Sequence, residues 1–65
     1  MNIARLRVSK GLTQTELAER LGRVQTAISK WECGEATPPA SLLPKIAEVL
    51  GCTVNDLFEE GGETA

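Results

Sequence analysis

The 65-residue chain is predicted to be a small all-α domain, and three observations predict it. Gly11, Gly22, Gly34 and Gly51 cut it into short segments. Within each segment the apolar residues recur three or four apart, the spacing that gathers them on one helical face. Thr13 and Glu16 stand as a T-x-x-E pair just ahead of an apolar run, the pattern of a capping box that opens a helix. Leu, Ile, Val and Phe make up 16 of the 65 residues, above the roughly one-fifth below which chains tend to stay disordered. Residues 1–60 are read as one domain and 61–65 as a flexible acidic tail.

The first helix is expected from Asn2, as N-cap, to Ser9 or Lys10, burying Ile3 and Leu6 and stopping at Gly11. The second, about 14–21, begins with the Thr13/Glu16 box, with Leu12 and Leu17 placed as a hydrophobic staple across its start. Leu17, Ala18 and Leu21 form its buried face, Gly22 ends it, and Glu16 is expected to pair with Arg20 one turn on.

Only two residues separate Gly22 from the next periodic segment, so the second and third helices must turn sharply on each other, a helix-turn-helix connection. In the third helix, about 24–32, Val24, Ala27, Ile28 and Trp31 make one apolar stripe. Gln25, Thr26, Ser29 and Lys30 occupy the other face. A merely solvated helix in this chain would carry acidic and basic pairs, as the second does, so this face of hydrogen-bonding side chains reads as a recognition surface. Trp31 is placed in the core rather than as an exposed base-stacking platform, because it continues the apolar stripe.

A Gly-, Thr- and Pro-containing loop runs from Cys33 to about Ala40. The fourth helix carries Leu43, Ile46, Ala47, Val49 and Leu50 up to Gly51. Proline fits only a first helical turn, so Pro44 favours Ser41 as the effective N-cap; a longer helix kinked at Pro44 is the alternative. A short fifth helix spans Val54 to Phe58 or slightly beyond, opened by Thr53 with Asp56 three residues later.

Composition excludes several functions. There is no His, and Cys33 and Cys52 stand far apart, so neither a zinc site nor imidazole chemistry is available, and no metal or cofactor is expected. No signal-peptide core and no membrane-length apolar run occur, which implies a cytoplasmic setting with both thiols reduced. The net charge of −2 is unevenly divided: residues 1–31 carry +4 and residues 32–65 carry −6. A domain so polarised would turn its basic half toward a polyanion. Its small size also favours dimerisation as a source of stability.

The run Gly11-Leu12-Thr13-Gln14-Thr15-Glu16-Leu17-Ala18-Glu19-Arg20-Leu21-Gly22, followed by Ala27-Ile28-Ser29-Lys30-Trp31-Glu32, Pro38, Ile46-Ala47 and Leu50-Gly51, resembles the XRE family of helix-turn-helix domains, the class of phage repressors and Cro. The resemblance covers residues 3 to 58. It implies a compact five-helix, lambda-repressor-like domain whose third helix enters the major groove of double-stranded DNA, usually as a homodimer on a two-fold operator. The family pattern puts base contacts on Gln25, Thr26, Ser29 and Lys30 and phosphate contacts on Gln14, with Arg23 able to reach a phosphate or a base edge and Lys10 a weaker phosphate candidate. The residue chemistry agrees: an amide matches adenine, Lys matches guanine, and Thr offers a hydroxyl and a methyl to thymine.

Matching family positions often pair, so Arg7 and Glu32 are read as a structural ion pair, while Val54, Leu57 and Phe58 are the expected dimer or partner contacts. The chain departs from the family at Val24, where a Ser-type N-cap is common, and in the 33–38 loop, which lacks basic residues and adds Glu35. Those departures point to weak, salt-sensitive binding, with a log–log salt slope of roughly −5 for a dimer neutralising about three phosphates per protomer. The competing expectation is a protein-interaction module of the antitoxin or anti-repressor type.

Overall fold

Five helices follow one another along residues 1–58, the part of the chain that the computed structural model describes. They are α1 (Ile3–Ser9), α2 (Gln14–Leu21), α3 (Gln25–Cys33), α4 (Leu43–Leu50) and α5 (Val54–Phe58), with a single 3-10 turn over Ala40–Leu42 leading into α4. No strand occurs among the described residues. The expected tail at 61–65 lies outside them.

α2 begins and ends as its sequence dictates. The Glu16 amide donates to Thr13 Oγ1 at 3.0 Å and the Thr13 amide to Glu16 Oε1 at 2.8 Å, which closes the capping box. Glu16 directs its carboxylate to that amide, and the expected Glu16–Arg20 pair is not found among the described residues. At the other end Gly22 adopts φ 69°, a left-handed conformation that sends the chain into the two-residue turn before α3, with the Arg23 amide donating to the Ala18 carbonyl at 2.9 Å. α5 repeats the start device: the Asp56 amide donates to Thr53 Oγ1 and the Thr53 amide to Asp56 Oδ2, both at 3.1 Å.

One core joins all five helices. Ile3 of α1, Leu17, Ala18 and Leu21 of α2, Ile28 and Trp31 of α3, Ile46, Ala47 and Leu50 of α4 and Leu57 of α5 are buried together. Leu12 and Leu6 lie half-buried against this cluster. The buried stripes of α2 and α3 pack on each other across the turn, which holds the opposite face of α3 outward.

Four expectations are corrected here. Asn2 does not cap α1 with its side chain; its amide donates instead to the Asp56 carbonyl at 3.2 Å, while its backbone N–H donates to the Leu57 carbonyl at 2.8 Å, tying the chain start to α5. Ser41 does not cap α4, because the 3-10 turn absorbs it and Leu42 takes the cap position, leaving Pro44 in the first turn where its missing N–H costs no bond. Val24 drops off the apolar stripe: it is the N-cap residue of α3, in extended conformation and 68% exposed. Leu57, expected at a dimer surface, is fully buried, since α5 packs against α4 and turns this side chain into the common core.

Candidate nucleic-acid interface

Helical geometry stacks Gln25 with Ser29 and Thr26 with Lys30, residues four apart, as two adjoining rows that form one strip of α3. Gln25, Thr26 and Lys30 are exposed and Ser29 is half-buried. Arg23 is exposed in the turn just ahead of them. Behind the strip, Ile28 and Trp31 anchor the helix in the core.

A chain of side-chain bonds runs beneath this surface and links three helices. It starts at Arg7 on α1, whose Nε donates to Glu32 Oε2 at 2.6 Å and whose Nη2 donates to Glu32 Oε1 at 3.2 Å, a bidentate ion pair. The third guanidinium nitrogen donates to the Leu12 carbonyl at 2.7 Å, so Arg7 also fastens the loop before α2. The side chains retain only 14% and 8% exposure, which removes the pair largely from water. Glu32 Oε1 then accepts from Gln14 Nε2 at 2.8 Å, and Gln14 Oε1 accepts from Gln25 Nε2. The first residue of α2 is thereby joined to the first residue of α3.

Sequence reasoning missed the inner part of this chain. It assigned Gln14 to a phosphate and Gln25 to a base, each alone, whereas the structure brings the two amides together. Nothing local marks their pairing; the signal that exists is that each is a two-ended amide at a helix start on either side of a sharp turn.

Next to Gln14 lies a depression of about 500 Å³, lined by Arg7 and Val8 of α1, the Gly11–Thr15 approach to α2, and Gln25. The Gln14 and Thr15 amides are the α2 start donors that have no acceptor among the described residues, since Thr13 satisfies those of Glu16 and Leu17. Two free amides at the positive end of a helix suit an anion such as a backbone phosphate. Lys10 is exposed, but its ammonium leans over Gly51 at the end of α4, where an added Cβ would lie 2.8 Å from Nζ. That position complements the carbonyl end of α4.

Of the three apolar residues expected at a dimer or partner surface, Phe58 is 53% exposed and Val54 half-buried, with Leu57 in the core. Cys33 is exposed and Cys52 half-buried, and both are free thiols. Burial pushes the Cys52 thiol up, with the nearby Asp56 carboxylate adding to it. No group of residues able to hold a metal ion occurs among the described residues, and no described helix is long and apolar enough to cross a membrane.

The sequence model of the helix-turn-helix family matches residues 3–57. Among curated proteins, the chain is 42% identical over 56 residues to the HTH-type transcriptional activator BcrR of Enterococcus faecalis, covering 86% of this chain and 28% of that one. It is 40% identical over 63 residues to the uncharacterized HTH-type transcriptional regulator y4dJ of Sinorhizobium fredii, covering 97% of this chain and 82% of that one. It is also 41% identical over 49 residues to multiprotein-bridging factor 1 of Eremothecium gossypii, covering 75% of this chain and 32% of that one. The chain thus spans about a third or less of the activator and the bridging factor and most of the second regulator. No solved structure matches it significantly.

Proposed function

The chain belongs to the helix-turn-helix family, and from that premise we propose that it is a transcriptional regulator that binds double-stranded DNA sequence-specifically, with α3 in the major groove. The observation that carries the proposal is the bonded chain from Arg7 through Glu32 and Gln14 to Gln25. It holds an exposed amide at the outer start of α3 in one orientation. Gln25 uses one amide N–H on Gln14 and keeps the other N–H and its carbonyl oxygen, the donor and acceptor that complement adenine N7 and N6.

On this reading Thr26, Ser29 and Lys30 supply further base contacts, Lys30 to guanine. The free amides of Gln14 and Thr15 and the Arg23 side chain hold phosphates, with Lys10 a more distant contributor. The role is binding rather than catalysis, in the cytoplasm, and the active form is a homodimer paired through Phe58 and Val54 on a two-fold operator. A second reading, a module that grips another protein, draws on the likeness to a protein named as a bridging factor and on the exposed Phe58.

Selection from a random duplex pool at near-physiological salt tests the proposal. The expected result is a two-fold motif with half-sites about one helical turn apart, lost when Gln25→Ala and Lys30→Ala are combined. Folded protein that enriches no motif at any salt concentration would reject DNA reading and move the function to protein partners.

A further inference from the structure

Val24 is one of three large apolar side chains left open to solvent among the described residues, and it stands at the start of α3 between Arg23 and Gln25. Neither capping nor packing explains it. The N-cap position favours Ser, Thr, Asp or Asn, whose oxygen takes up a free amide, and no side chain caps α3. Threonine has the shape of valine, so a cap was within reach at almost the same volume. The core does not need the side chain either, since it is 68% exposed. What remains is a β-branched pair of methyl groups held in extended backbone, next to the amide that Gln14 orients.

Resting on the DNA reading above, we propose that Val24 is a specificity residue that recognises thymine through its C5 methyl group. That methyl is the apolar feature of the major-groove edge, and contact with Val24 withdraws both surfaces from water. The first residues of a recognition helix are the ones that reach base edges, and Val24 is the N-cap residue directly before them, adjoining Gln25. With Gln25 complementary to adenine, the pair would read two neighbouring A·T positions, one by hydrogen bonds and one by apolar contact.

The test replaces the thymines of the selected site one at a time with uracil, which lacks only the methyl, and titrates wild type, Val24→Ser, Val24→Ala and Thr26→Ser against each duplex. Wild type is expected to lose about four-fold per half-site at one position, the worth of one methyl-sized group. Val24→Ser and Val24→Ala should show no loss there, while Thr26→Ser should keep it. Wild type that is indifferent to uracil at every position, or a loss undiminished in both Val24 variants, overturns the proposal and leaves the DNA reading standing. Wild type that selects no site overturns both.

Discussion

Gln14 and Gln25, the first residues of two consecutive helices, are bonded amide to amide, and the direction of that bond is set by an ion pair on the far side of Gln14. Arg7 has only donors and Glu32 only acceptors. Gln14 must therefore turn its NH₂ toward Glu32, which leaves its oxygen facing Gln25. Gln25 must in turn present its NH₂ to that oxygen. A charge pair between α1 and the end of α3 thus decides which way an exposed amide points.

Breaking the link at Gln14 should affect base choice more than stability. Gln14→Met keeps the length of the side chain but neither bonds Glu32 nor receives Gln25. The expected outcome is a folded protein whose preference for adenine under Gln25 falls about ten-fold, part of the roughly 1–3 kcal/mol that a bidentate contact contributes to discrimination. Comparing the base frequencies selected by wild type and variant measures this. An adenine preference that survives intact would show that Gln25 orients itself.

Arg7→Ala should act on folding instead. It leaves Glu32 with its charge largely out of water and frees the Leu12 carbonyl, a loss of about 3 kcal/mol or more. A core of this size seldom supplies more than about 3–5 kcal/mol in net stability, so the variant is expected to be largely unfolded at room temperature. Far-UV circular dichroism during a thermal melt reads it directly.

Val24→Thr should stabilise the domain by about 1 kcal/mol, because the new hydroxyl caps α3 without changing the shape of the side chain. Chemical denaturation with an unchanged m-value checks this. An unaltered midpoint would mean that the α3 start takes its amides' acceptors from water.

The two thiols should be distinguishable. Cys33 is exposed, whereas Cys52 is half-buried, with its thiol raised from its ordinary value by burial and by Asp56. A disulfide reagent at about pH 8 is expected to label Cys33 first and Cys52 only slowly. Because the folded state holds the Cys52 proton more tightly than the unfolded chain does, its contribution to stability is complete below the unfolded thiol value of about 8.5 and declines as pH rises beyond it. Cys52→Ser should flatten that alkaline decline; an identical decline would assign it to other groups.

What the sequence made legible was local. The Thr13/Glu16 box, the Gly22 stop and the apolar stripe from Ala27 to Trp31 are written within a few residues of one another, and their geometry follows from helix spacing alone. The features that escaped it depend on contacts between distant residues. Asn2 meets Asp56 across 54 positions, and Leu57 is buried where α5 packs back against α4. Gln14 meets Glu32 across 18 and Gln25 across 11. Val24 fits the helical period, yet the helix begins one residue after it, so a one-residue difference in the start separates a core side chain from an exposed one.

The central claim, that α3 reads DNA through an oriented Gln25, is tested most directly by one titration series. Wild type and Gln25→Ala are each measured against the selected operator and against a duplex carrying G·C in place of A·T under Gln25. Wild type is predicted to bind the changed duplex about ten-fold or more weakly, and Gln25→Ala to bind the two alike. Discrimination by Gln25→Ala as strong as that of wild type would contradict the account.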